Sequence, residues 1–211
     1  MYRFQIGVMP RSYHKAQLIK QYKYYAFHKP YGVLSQFSEE REGDLTIGKY
    51  FNFPPDVYPC GRLDKDSEGL LLLTNDLIFK QKIMEPKNHV CKQYLCQLEG
   101  IIDSSTCQIL ESEVFIAVNG KRYRTKAISA DICNCPETIH DRQPPVRYRK
   151  TIPDSWLMIT IDEGKNRQVR KMLASVGYPV LRLIRWQIAE LKLNFPVGSV
   201  IEIDPAQVLP H

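Results

Sequence analysis

Apolar residues follow two rhythms along this chain, and the contrast between them predicts its elements. An unbroken Leu70-Leu71-Leu72-Leu73 run followed by Thr-Asn-Asp reads as a strand buried on both faces that ends in a turn. Tyr24 to Phe27 is an aromatic strand stopped by Lys29-Pro30-Tyr31-Gly32, and a second apolar stretch runs from Val33 to Phe37. Residues 38–48 read as loop, and Val57 to Cys60 leads into the leucine strand. Tyr94, Cys96 and Leu98 alternate with Gln93, Leu95 and Gln97, a strand closed by Gly100. Val114 to Val118 and Arg122 to Ile128 flank Asn119-Gly120, a strong hairpin signal. Trp156 to Ile161, Val180 to Trp186 and Val200 to Ile203 complete the strands. The helical rhythm is scarcer. Asp76 caps a helix from about Leu77 to Met84 that Pro86 closes, and Thr106 to Leu110 is a short helix. Val169, Met172, Leu173 and Val176 recur at i, i+3, i+4 and i+7 on a helix from Arg167 to Val176, ended by Gly177 and Pro179. Strands dominate, so the class is α+β, with a mixed, mostly antiparallel sheet flanked by short helices.

Composition narrows the partners more than the fold. The 211 residues, 44% hydrophobic and 25% charged, suit one large domain or two small ones with a real core. No apolar run approaches the ~20 residues of a membrane span. The N-terminus is basic but has no apolar signal core, so a cytoplasmic protein is expected. Of the six cysteines, Cys133 and Cys135 are the only close pair, and no His or C-x-x-C completes a zinc set, so reduced thiols and no metal are expected. Residues 1–38 lack Asp and Glu yet carry six Lys and Arg, which equals the whole net charge of +6. Arg142, Arg147, Arg149 and Lys150 form a second cluster, and Lys165, Arg167, Arg170 and Lys171 a third. Such clusters on a near-neutral body suit a phosphate-backbone partner, or else a solvated face. The segment Cys133 to Pro153, rich in Pro, Asp and Arg, reads as a long ordered loop of the kind that carries function.

Candidate chemistry concentrates in Cys60 to Asp76. Arg62 and Asp64 lie two residues apart, between glycines, on a loop delivered by the leucine strand. They read either as a surface ion pair or as a positioned catalytic carboxylate with a cation beside it. Asp64-Lys65-Asp66-Ser67-Glu68-Gly69 imitates the start of a calcium loop, but position twelve would be Asn75 and no helix precedes it. Paired carboxylates could also serve glycoside hydrolysis, although both lie on one local segment. Arg167, Arg170 and Lys171 converge on one side of their helix, where first-turn cations oppose the dipole, so they suit a phosphate or a carboxylate. Tyr94, two residues after Lys92 in a strand, can pack in a core or stack on an unpaired base.

Together these segments resemble the RsuA/RluB/RluE/RluF family of pseudouridine synthases. Lys29-Pro30-Tyr31-Gly32-Val33-Leu34-Ser35 resembles the family's first motif, and Gly61-Arg62-Leu63-Asp64 through Asp76 its catalytic motif. Lys92-Gln93-Tyr94 resembles the tyrosine motif. Glu163 to Met172, with Leu181-Arg182-Leu183-Ile184-Arg185, resembles the third. Pro144-Pro145-Val146-Arg147 followed by Ser155-Trp156-Leu157 is most similar to the RluE subgroup. The resemblance covers about residues 22–205. It departs from many members in lacking an N-terminal S4-type RNA-binding domain, and in having Leu77 where glycine is usual.

The resemblance implies the pseudouridine synthase fold over residues 22–211, divisible into two subdomains meeting at the active-site cleft, behind a basic extension at residues 1–21. It implies isomerisation of a uridine in large-subunit (23S) ribosomal RNA, or in an assembly intermediate, by a monomer without cofactor or metal. Asp64 would be the nucleophile or base, paired with Arg170, and Tyr94 would stack on the target base. Arg62, Lys92, Arg147, Arg149, Lys165, Asn166, Arg167, Gln168 and Lys171 would bind RNA. A non-catalytic RNA-binding protein and a glycosidase stand as the rival readings.

Overall fold

The structure, a computed structural model, describes residues 21–146 and 152–209. Its strands are β1 (Tyr24–Lys29), β2 (Tyr58–Pro59), β3 (Glu68–Thr74), β4 (Lys92–Glu99), β5 (Val114–Val118), β6 (Lys121–Thr125), β7 (Ser129–Cys133), β8 (Asp154–Ile161), β9 (Val180–Ile188), β10 (Leu191–Lys192) and β11 (Val200–Glu202). The helices are α1 (Leu77–Met84), α2 (Ser104–Ser112) and α3 (Gln168–Ser175). One sheet runs in the order β11-β1-β3-β9-β4-β8-β7, with β2 added to β3 and β10 to β9, while β5 and β6 form a separate hairpin. All its strand pairs are antiparallel except β3 with β9. The mixed α+β architecture expected from the sequence is the one observed.

Leu70 to Leu73 are each at most 1% exposed, as a strand covered on both faces requires. Alternation divides them. Leu70 and Leu72 pack with Ala26, Phe79, Ile83, Leu95 and Ile184, whereas Leu71 and Leu73 pack with Phe27, Val33, Ile47 and Val57. A third cluster joins the core-facing residues of β4 and β8 to Val169, Met172 and Leu173 of α3, burying the apolar stripe read from the sequence. Asp76 accepts hydrogen bonds from the Ile78 and Phe79 amides, an N-cap worth about 1 kcal/mol.

The single parallel strand pairing joins the two antiparallel parts of the sheet, and glycine makes it possible. Gly69 pairs with Arg185 and has φ +103°. A methyl group built there would lie 2.6 Å from the Arg185 backbone nitrogen and closer still to its carbonyl oxygen. Beside it, Glu68 and Arg182 form a buried fork, with Nε 2.9 Å and Nη2 2.8 Å from the two carboxylate oxygens. Arg182 also donates to the His140 carbonyl at 2.9 Å, tying down the long loop before β8.

Several local expectations differ. Val33 to Phe37 forms only an isolated bridge from Leu34 to Thr46, because Ser35 turns inward to a different partner. β7 was missed at Ser129–Cys133: its run alternates weakly, and it forms by pairing along β8. The last helix starts at Gln168, since Arg167 has φ +53° and stands outside it. Arg147 and Arg149 lie outside the described residues, as does the extension at residues 1–20. Among the described residues no helix is long and apolar enough to cross a membrane, and the six cysteines carry free thiols. Replacing Glu68 with alanine would leave the Arg182 guanidinium buried without its counter-charge. We expect a loss of about 3–5 kcal/mol, read by denaturant unfolding. A change below about 1 kcal/mol would show the fork to be dispensable.

Candidate active site

The loop from Cys60 to Ser67 is held at nearly every residue. The Cys60 amide donates to the Leu72 carbonyl at 2.7 Å. Ser35 Oγ donates to the Leu63 carbonyl at 2.8 Å and accepts from the Leu63 amide at 3.1 Å. The Lys65 carbonyl accepts from the Gly32 amide at 2.8 Å, and the Ser67 amide donates to the Asp64 carbonyl at 3.0 Å. Asp64 is therefore flanked on both sides by residues tied to the Lys29–Ser35 turn. That turn is itself braced by Lys29, whose buried ammonium donates to the carbonyls of Pro30 at 3.0 Å and Val33 at 2.7 Å. Burial pushes the Lys29 ammonium down to about 7.

Asp64 stands on the rim of a cavity of about 420 Å³, a size ordinary for a small-molecule site. Arg62, Lys92, Tyr94, Lys165, Asn166, Arg167, Gln168 and Arg185 line the same cavity. Four stretches of sequence expected to act together are thus brought to one cleft. Tyr94 is 8% exposed, facing the cavity from β4 while its ring joins the core. Lys92 donates to the Val90 carbonyl at 2.9 Å, and burial, with Arg185 nearby, holds its ammonium below the ordinary lysine range.

The cation beside Asp64 is not the expected one. Arg167 Nη1 lies 3.5 Å from Asp64 Oδ2 and forms a two-pronged pair with Asp66, both prongs at 2.8 Å. Arg170 donates to the Asp66 carbonyl at 2.7 Å and to the Val180 carbonyl at 3.1 Å, with its Nη2 3.5 Å from the Asp66 carboxylate. Among the described residues Arg170 and Asp64 form no direct pair. The reason lies in α3: Arg167 is in a left-handed conformation ahead of the helix and reaches over the loop, whereas Arg170 is one turn in and half-buried beneath it. Hydrogen bonding to Arg167 holds the Asp66 carboxyl below its ordinary range, and burial lowers the Arg170 guanidinium.

Other expected RNA contacts are sorted similarly. Arg62 is exposed at the rim, 3.5 Å from Gln36 Oε1. Lys165 and Asn166 remain on the cleft wall, with the Lys165 ammonium 5.1 Å from the Tyr123 ring centre. Gln168 departs from expectation. It is 3% exposed, and its amide donates to Thr125 Oγ1 at 2.9 Å and Glu163 Oε1 at 2.5 Å, so it binds the wall together. Glu163 also accepts from Tyr123 at 2.7 Å, which docks the β5–β6 hairpin against the cleft. Lys171 is half-buried and does not line the cavity. Among the described residues no cluster of three or more His, Cys, Asp or Glu could hold a metal, so the calcium-like stretch does not assemble one.

Sequence reasoning missed Ser35, Asp66, Glu163 and Arg185 as site residues. Each sits within a quoted motif. Their tasks depend on partners 28 to 115 residues away, a spacing that no local pattern encodes.

A carboxylate, a tyrosine and several cations thus face one cleft beside this sheet. The chain belongs to the RNA pseudouridylate synthase family, whose model matches residues 23–175. It is 45% identical to the ribosomal large subunit pseudouridine synthase E of Xanthomonas campestris pv. campestris, over 78% of this chain and 89% of that one. It is 42% identical to the protein of the same name from Vibrio parahaemolyticus, over 80% of this chain and 68% of that one. A crystal structure of a pseudouridylate synthase matches with a TM-score of 0.69 at 26% identity, covering 90% of this chain and 74% of that one.

Ser35→Ala would leave both backbone groups of Leu63 unpaired in a buried position. We expect a stability loss of about 1–3 kcal/mol and a fall in turnover larger than any loss of RNA affinity. Unfolding curves with single-turnover kinetics check this, and unchanged turnover would show that the clamp does not position Asp64.

Proposed function

We propose that this protein converts one specific uridine of large-subunit ribosomal RNA, in 23S RNA or an assembly intermediate, to pseudouridine, with Asp64 starting the reaction. The observation that carries the reading is the placement of Asp64: a half-exposed carboxylate on a clamped loop, at the mouth of a cleft lined by Tyr94. The large-subunit substrate is supported by the names of relatives 45% and 42% identical. The reaction breaks N1–C1′, turns the uracil and joins C5 to C1′. It involves no net redox change or group transfer, so side chains suffice for it.

Extruding the uridine costs a few kcal/mol, which contacts to the RNA backbone must offset. Arg62, Lys165, Asn166 and Arg167, which line the cavity, would make those contacts. Arg167, with Nη1 3.5 Å from Asp64 Oδ2, aims that carboxylate through its positive charge. Arg170 acts one step back, fixing the loop by its grip on the Asp66 carbonyl. In this reading Tyr94 stacks on the base and takes part in removing the C5 proton. Asp64 attacks C1′ or C6, or abstracts a sugar proton. The basic extension at residues 1–21 adds phosphate contacts in this reading, and the protein works as a cytoplasmic monomer.

Asp64→Asn should abolish pseudouridine formation while the protein folds and binds RNA. Carbodiimide-stop primer extension on ribosomal RNA incubated with wild type and variant measures it, and near-normal conversion by the variant refutes the assignment. Tyr94→Phe should bind normally and turn over more slowly, by on the order of 10²-fold if the hydroxyl moves a proton. Unchanged turnover would reduce Tyr94 to stacking alone.

A further inference from the structure

Arg185 is the best-buried cation on the cleft lining and the least satisfied. It is 4% exposed, and its Nε donates to the Leu70 carbonyl at 2.7 Å. Its Nη2 is buried and has no partner among the described residues, and no carboxylate forms an ion pair with it there. A buried guanidinium lacking a counter-charge is costly, and proteins retain such groups where a ligand completes them. The backbone holds this one in place from both sides. Gly69 on β3 and Tyr94 on β4 are its two cross-strand partners, and only a glycine at 69 permits the approach. Tyr94 and Arg185 are direct neighbours on an antiparallel pair, so their side chains emerge on the same face, and both line the cavity. Lys92, a second desolvated cation there, likewise makes no ion pair among the described residues.

We propose that the Arg185 guanidinium, where it borders the cavity, donates a hydrogen bond to the C4 carbonyl oxygen of the target uracil, and that it holds the negative charge the ring acquires when its bond to the sugar breaks. This rests on the uridine-isomerising reading above. The chemistry points to O4 in each route open to Asp64. Attack at C1′, or removal of a sugar proton followed by elimination, breaks N1–C1′ and leaves the electron pair on the ring, shared between O2 and O4. Attack at C6 pushes electrons through C5 and C4 onto O4. When C5 bonds to C1′, that pair forms the new bond. Any bond Asp64 has made to C1′ or C6 breaks to return the carboxylate, or in the elimination route Asp64 gives the proton back to the sugar. The C5 proton then departs and N1 takes up a proton, so atoms and charge balance. A fixed donor in a site shielded from water is the arrangement that lowers the energy of such an anion. The same donor disfavours cytosine, whose 4-amino group also donates and would face the guanidinium without an acceptor. A phosphate contact fits less well, since phosphates follow the rim where Arg62 and Lys165 stand, whereas Arg185 sits in the strand beside the tyrosine.

The test uses the full-length protein and a ribosomal RNA fragment containing the mapped target, synthesised with uridine, 4-thiouridine or 2-thiouridine at that position. Wild-type conversion of the unmodified fragment is the control: without it the uridine-isomerising reading fails, independently of Arg185. Arg185→Met and Arg185→Lys are compared with wild type, with thermal unfolding confirming that each folds. We expect single-turnover rates to fall on the order of 10²–10³-fold in both variants with RNA affinity within a fewfold. We expect 4-thiouridine to slow the wild type at least tenfold and the variants little further, because sulfur is a poor acceptor and the variants have already lost the donor. If either variant misfolds, the 4-thiouridine effect in the wild type decides alone: its presence supports the contact and its absence overturns it. Equal 4-thio effects in wild type and variants, sensitivity confined to 2-thiouridine, or weakened affinity with unchanged rate would each overturn the proposal, the last by making Arg185 a phosphate contact.

Discussion

Everything at the cleft depends on how Asp66 is gripped. Its carboxylate takes the Arg167 fork and its carbonyl takes Arg170, joining the loop that carries Asp64 to a helix about a hundred residues later. Neither partner alone would suffice. Arg167 is exposed enough for solvent to screen its pairing, and exposed pairs contribute little. Arg170 supplies the buried half of the contact, a charged donor to a backbone carbonyl, which is the stronger kind. A catalytic carboxylate needs to be aimed to within about half an ångström, and a loop tied at both ends and to a helix meets that need better than a free one.

This arrangement also explains why Asp64 itself stays lightly held. Assigning the strong interactions to Asp66 leaves Asp64 half-exposed, with one cation 3.5 Å away. The neighbouring carboxylate bears the structural duty, and Asp64 keeps an open face toward the cavity.

The sheet supplies the rigidity beneath. β3 is buried on both faces, and the parallel contact at Gly69 brings Arg185 and Arg182 against it. A fully buried strand tolerates a charge only with a partner, which Arg182 finds in Glu68. Arg185 finds only the Leu70 carbonyl. The difference between these two arginines, three residues apart on one strand, separates a structural ion pair from a group held ready for a ligand.

Much of this was legible in the chain itself. A four-leucine run closed by Thr-Asn-Asp reads as a two-faced buried strand, Asn-Gly between alternating segments makes a hairpin, and the Gly61-Arg62-Leu63-Asp64 segment with its companions marks the family. These signals are local, so periodicity and turn chemistry suffice to read them. Which cation meets which carboxylate was not legible. Arg167 and Arg170 are near neighbours on the chain, and so are Asp64 and Asp66. Their pairing was decided by a left-handed residue at the helix entrance and by a strand register set more than a hundred residues away. The same holds for β7 and for the isolated bridge at Leu34, where the pairing partner or an inward-turning serine outweighed local pattern. Local sequence sets what each segment can form, but long-range packing sets which charges end up buried, and burial decides the chemistry of a charge.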